Sequence, residues 1–173
     1  CTGECRRLPL PPLNAAIGLP FRWMPDGSAL LVNTVPGRRG EPPARPEVAS
    51  GPLVRESYGR LAPSRTYQDL LDSPHSEALF EHYFTGQLWL APLQGGDAFA
   101  LGEPAIFSGF EPSPSGELIL IERILRPFSY VVPYQRFPSD VRLIDRGGAE
   151  VRRVADLPLA EEVPVMFDAV VEG

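Results

Sequence analysis

Two stretches of the chain carry nearly the same pattern: FRWMPDGSALLVNTV at residues 21–35 and FEPSPSGELILIERI at residues 110–124. Each sets an aromatic residue before a Pro-Asp-Gly or Pro-Ser-Gly turn and follows it with a strongly apolar run. Pro25 and Pro114 pre-set the turn entry, and Gly27 and Gly116 supply the positive φ that a tight turn needs. Both stretches predict β-hairpins. A second pair follows at a distance, QLWLAPLQGGDAFALG (87–102) and VRLIDRGGAEVRRVA (141–155). Each reads as strand, Gly-Gly turn and more polar strand, with turns at Gly95-Gly96 and Gly147-Gly148. A repeat of this size constrains the fold more than any single motif, because a unit too small to bury its own faces must stack on its neighbours.

Four antiparallel strands per unit is the layout of a β-propeller blade. The second strand of each unit, Ala29-Leu30-Leu31-Val32 and Leu118-Ile119-Leu120-Ile121, is uniformly apolar, as a strand covered on both faces should be. The fourth carries charge, as at Arg152-Arg153, which suits an outer edge. The expected fold class is all-β with a small helical insertion: a partial β-propeller of about two four-stranded blades plus stubs of flanking blades. The opening TGECRRL matches the later GGAEVRRV, so residues 1–10 read as the end of a preceding blade. One blade then spans 14–102 with an insertion at 36–86, and the next spans 104–157 with an insertion at 126–140. Residues 163–173 read as the start of a following blade. A propeller closes with four to eight blades, so this reading makes the chain a segment of a larger ring.

Composition excludes several function classes. The net charge of −6 and pI near 5.0 argue against a nucleic-acid partner, since phosphate binding needs a basic field. No apolar run reaches the roughly 18–20 residues of a membrane span. All 16 basic residues are arginine, and the 21 prolines in 173 residues are more than double the roughly 5% average share. That usage points to a G+C-rich coding sequence and to proline-rich connections between short strands. Cys1 and Cys5 have no second Cys or His pair at zinc spacing. No metal or cofactor is expected.

The insertion at 36–86 is too long for a bare loop. Its first half, PGRRGEPPARPEVASGP, reads as extended. In its second half Thr66 suits the cap of a short helix with Tyr67, Leu70 and Leu71 on one face. Ser73-Pro74 then reads as cap and first position of a second helix, with Gly86 just past its end. His75 and His82 lie about two turns apart, a poor chelating distance, so they and the neighbouring Glu77 and Glu81 read as a solvated helix face. No Gly-x-Ser-x-Gly elbow occurs, and no catalytic nucleophile is identifiable.

The insertion RPFSYVVPYQRFPSD (126–140) interleaves aromatics with Arg126 and Arg136. An arginine fork suits a carboxylate, and Tyr130 or Tyr134 can add a hydroxyl. Arg126, Tyr134 and Arg136 are therefore the candidate substrate-binding residues. The alternative has Phe128, Phe137 and the tyrosines packing between blades while the arginines satisfy carbonyls or structural acids.

The strings RGEPPARP, RTYQDLL, LFEHYFTGQL, RPFSYVVPYQRFP and DLPLAEEVP together resemble the propeller of prolyl-oligopeptidase-type serine peptidases, in the glutamyl endopeptidase-like branch. The similarity runs from about Leu19 to Pro164. It implies a propeller that caps a C-terminal α/β-hydrolase domain holding Ser, Asp and His, all outside this chain. The segment would then limit access of peptide substrates and, through Arg126 or Arg136, contribute to acidic-residue recognition. Its partners would be that hydrolase domain, the remaining blades and, through open sheet edges, other copies of itself. The branch has bacterial members, in keeping with a bacterial source and a periplasmic or cytoplasmic location. The competing reading is a non-enzymatic propeller serving as a binding or scaffold module.

Overall fold

A computed structural model describes residues 3, 7–46 and 70–162. Seven strands, β1 (Phe21–Trp23), β2 (Ala29–Thr34), β3 (Thr85–Pro92), β4 (Phe99–Pro112), β5 (Leu118–Ile124), β6 (Ser139–Asp145) and β7 (Glu150–Leu157), form one antiparallel sheet in sequence order. Among the described residues one α-helix, α1 (Pro74–Phe84), interrupts them between β2 and β3. The chain is thus mostly β with a helical insertion, and its sheet is curled.

The turns form where proline and glycine mark them. Between β1 and β2, Gly27 N–H closes onto the Met24 carbonyl at 2.8 Å with φ +68°, while Asp26 Oδ1 accepts from Ser28 N. The repeat-related turn closes identically from Gly116 N–H to Ser113 O, also at 2.8 Å. Ser73 caps α1, accepting from Ser76 N at 3.1 Å, with Pro74 at its first turn. Thr85 caps the helix end through its hydroxyl on Glu81 O at 2.6 Å, and Gly86 lies just past it, as expected. Gly86 also belongs to β3, where a Cβ would lie 2.0 Å from Asn33 Oδ1. The helix expected from Thr66 falls on residues outside those described, except Leu70 and Leu71, which are not helical. Residues 7–10 form no strand, and 163–173 lie outside the described residues.

The boundary expected at residues 102–104 falls inside a continuous strand. β4 pairs with β3 through Phe99–Ile106 and with β5 from Ile106 onward. Leu101 and Ala105 pair with Leu88 and Gly86, so β4 bulges between them. Gly102 sits there with φ +61°, and Pro104 has no N–H to give the ladder. The bulge lets one strand serve both halves of the sheet, and the curl brings β1 back onto the second half of β4. Arg22 donates to Glu111 Oε2 at 2.8 Å and lies over the Phe110 ring.

The core lies between these halves. Met24, Ala29, Leu31, Leu88, Leu90 and Leu101 of the first half meet Phe107, Phe110, Ile119, Ile121 and Ile144 of the second. The repeat gives this interface a direction. Phe110, Ile119 and Ile121 correspond to Phe21, Leu30 and Val32, which point away from the core; Ala29 and Leu31 correspond to Leu118 and Leu120. Opposite faces of equivalent strands are therefore in contact, a head-to-tail arrangement. Its two outer faces are left uneven. Residues of the 7–13 segment border the first, where Val32 is buried but Phe21 and Trp23 are exposed. Leu120 on the second is 41% exposed.

Candidate functional site

Both insertions emerge from the same end of the sheet. Thr85, Ile106, Ile124 and Ser139 form one cross-strand row there. Beyond that row lie residues 36–46, α1 and the segment 126–138. A second apolar cluster welds them together: Phe80 of α1 packs on Ile106, Ile124, Val132 and Phe137, with Phe84, Phe128 and Tyr134 at its margin. The rings of Phe128 and Phe137 stack at 5.4 Å, and Phe80 meets Phe128 edge-on at 5.1 Å.

The three candidate residues take different positions in this assembly. Arg126 donates from Nε and Nη2 to the two oxygens of Glu81, at 3.3 and 2.8 Å, and from Nη1 to Glu77. Its guanidinium lies 4.6 Å from the centre of the Phe128 ring. Tyr130 completes the network by donating to the other Glu77 oxygen at 2.7 Å. That hydrogen bond, followed by those from Arg126, holds the Glu77 carboxyl below its ordinary range against the opposing effect of burial. Glu77 and Glu81 thus clamp the 126–138 segment to α1, Glu81 from a still solvated position and Glu77 from a largely covered one. Tyr134 begins a single 3-10 turn, Tyr134–Arg136, with its ring 6.0 Å from Phe84. It lines an open apolar cavity of about 310 Å³ with Leu70, Leu71, Phe84, Val132 and Phe137. Arg136 reaches the Ala160 carbonyl at 3.5 Å, and its own carbonyl accepts from Ala160 N. The structure therefore gathers Tyr134 and Arg136 on one short turn and ties Arg126 to the helix.

The clamp is an exposed one. Arg126→Ala is expected to cost only about 0.5–1 kcal/mol, because Arg126 and Glu81 are both about half exposed. The loss measured by urea denaturation should shrink further in molar salt.

A pocket missed by sequence reasoning lies on the other side of α1. Arg38, Arg39, His82 and Thr85 are among the residues that line it. Arg39 Nη2 caps the end of α1, donating to the carbonyls of Tyr83 and Thr85 at 3.1 and 2.6 Å. The signal was the Arg-Arg pair inside PGRRGEPP, which composition alone makes look like an extended linker.

The fold and this end of the sheet define a mostly-β module, a curled antiparallel sheet carrying its insertions on one side. It is 40% identical over 176 residues to a rice (Oryza sativa subsp. japonica) protein named probable glutamyl endopeptidase, chloroplastic, a match covering 99% of this chain and 18% of that protein. An Arabidopsis thaliana protein of the same name is 40% identical over 154 residues, 88% of this chain and 16% of its own length. The chain is a glutamyl endopeptidase-like segment, as the resemblance implied, and it spans less than a fifth of the length of these curated relatives. No protein-family model matches it, and no solved structure is significantly similar.

Proposed function

We propose that the chain is part of the propeller of a serine peptidase, admitting peptides to a catalytic α/β-hydrolase domain elsewhere in the same protein. The similarity to plant proteins named glutamyl endopeptidase over 99% of the chain carries this reading. The head-to-tail packing of the two repeats supports it physically: each unit uses opposite faces on its two sides, so further units can add at Leu120 and at Phe21 until a ring closes. Four-stranded blades at 14–102 and 104–157, joined through β4, fit that scheme. The end bearing both insertions is the side assigned to substrate. Arg126 would have to release Glu77 and Glu81 to meet an acidic substrate, whereas Tyr134 already faces an open cavity and Arg136 lies on the same turn.

The test uses the full-length gene product. Covalent labelling by a serine-directed fluorophosphonate, with cleavage of peptides after Glu in preference to Gln, is the expected result. Absence of labelling in folded protein would favour a non-enzymatic scaffold instead.

A further inference from the structure

The pocket beside α1 combines cationic heads with an apolar lining. Its volume is about 410 Å³, and Pro36, Pro43, Ala78 and Pro104 supply apolar wall. Arg38 is exposed, and no described residue accepts from its guanidinium. His82 also lines the pocket, its ring edge-on to Tyr83. The acid in the lining, Glu81, does not neutralise these groups, because both its oxygens are bound by Arg126. The negative end of α1 is partly offset, since Arg39 places its positive charge on the Tyr83 carbonyl and Thr85 donates to that of Glu81. Arg39 carries a residual cost. Burial lowers its pKa, and its Nε is buried without a partner. A neighbouring negative charge offsets that kind of cost.

We infer that this pocket binds a carboxylate on a short aliphatic stem presented by a peptide, with Arg38 pairing the charge and the prolines covering the methylenes. The inference rests on the peptide-processing reading above and assigns the acidic contact to Arg38 in place of Arg126. Arginine suits the role because its planar fork matches both carboxylate oxygens.

The test is a titration of the 173-residue chain, followed by NMR, with three probes: acetyl-glutamate amide, acetyl-glutamine amide and acetyl-alanine. The glutamate amide presents a side-chain carboxylate, acetyl-alanine a C-terminal one, and the glutamine amide none. Either carboxylate probe binding at least tenfold tighter than the glutamine amide supports the inference, and the tighter of the two identifies the source. Arg38→Gln should abolish that preference, while Arg146→Gln, a change in the β6–β7 turn outside the pocket lining, should leave it intact. Equal binding of all three probes, no binding of any, or a preference that survives Arg38→Gln overturns it. Failure here leaves the peptidase reading untouched, since fluorophosphonate labelling of the full-length protein does not depend on Arg38. Failure of labelling with the carboxylate preference intact would remove the peptidase reading and keep the pocket.

Discussion

Replacing Asp140 by alanine is expected to destabilise the chain by about 3–5 kcal/mol, the usual cost of stranding buried ion partners. The Asp140 side chain is 0% exposed and lies directly across the β5–β6 ladder from Arg123. Arg123 donates to both its oxygens, Nε to Oδ1 at 2.9 Å and Nη2 to Oδ2 at 2.7 Å. Arg142, two residues along the same face of β6, adds a bond at 2.8 Å and is itself held by Glu150. Removing the carboxylate leaves the guanidinium groups of Arg123 and Arg142, with that of Arg153 3.8 Å from the same oxygen, crowded together without it. Asp140→Asn keeps the volume and loses only the charge, so it should cost less.

The same cluster sets an acid dependence. Burial raises the Asp140 carboxyl, but the hydrogen bonds from Arg123 and Arg142, with their charges, outweigh it and leave the carboxyl below its ordinary value. A carboxyl depressed in the folded state stabilises the fold fully above its unfolded pKa. That contribution is lost as pH falls through the folded value. Urea midpoints of the native chain should therefore drop below about pH 4, and those of Asp140→Asn should drop less over the same window. Equal slopes would contradict the assignment.

The second large effect is expected at Gly148, where the β6–β7 turn presses on β4. A Cβ there would lie 2.8 Å from Gly102 N and 3.0 Å from Leu101 Cα, in a backbone with φ +87°. Neither neighbour is a flexible side chain that can swing away. Gly148→Ala combines left-handed strain with overpacking and should cost about 2–5 kcal/mol. Gly95 supplies the control: its φ is +72° and nothing lies within 4 Å of its Cβ position. Gly95→Ala should cost only the strain, about 1–2 kcal/mol. Urea denaturation of the two variants separates conformational strain from contact between the repeats; similar losses would mean that the turn does not press on β4.

The hairpins were legible because proline and glycine act locally, and Ser73-Pro74 announced α1 for the same reason. Gly86 marked the helix end correctly, but its second role, admitting Asn33 beside β3, was not legible, because that neighbour is set by tertiary packing. The continuity of β4 was hidden too: Gly102 and Pro104 are written like a loop, yet the bulge they make keeps the strand running. At the candidate site, arginines among aromatics drew attention to 126–138. Their partners did not show themselves, because Glu77 and Glu81 precede Arg126 by 49 and 45 residues and only tertiary packing brings them together. The Asp140 cluster was invisible for a related reason, since Arg123 and Asp140 become neighbours only once the β5–β6 register is known.

Thiol accessibility at position 120 tests most directly whether the repeats stack head to tail within a larger ring. With Cys1 and Cys5 changed to serine, Leu120→Cys should react rapidly with a maleimide in the 173-residue chain, where Leu120 is 41% exposed. In the full-length gene product the same introduced thiol should be protected at least tenfold, while Glu117→Cys in the adjoining exposed turn reacts equally in both. Equal reactivity of the Leu120→Cys variant in the two proteins would mean that no further unit covers this face.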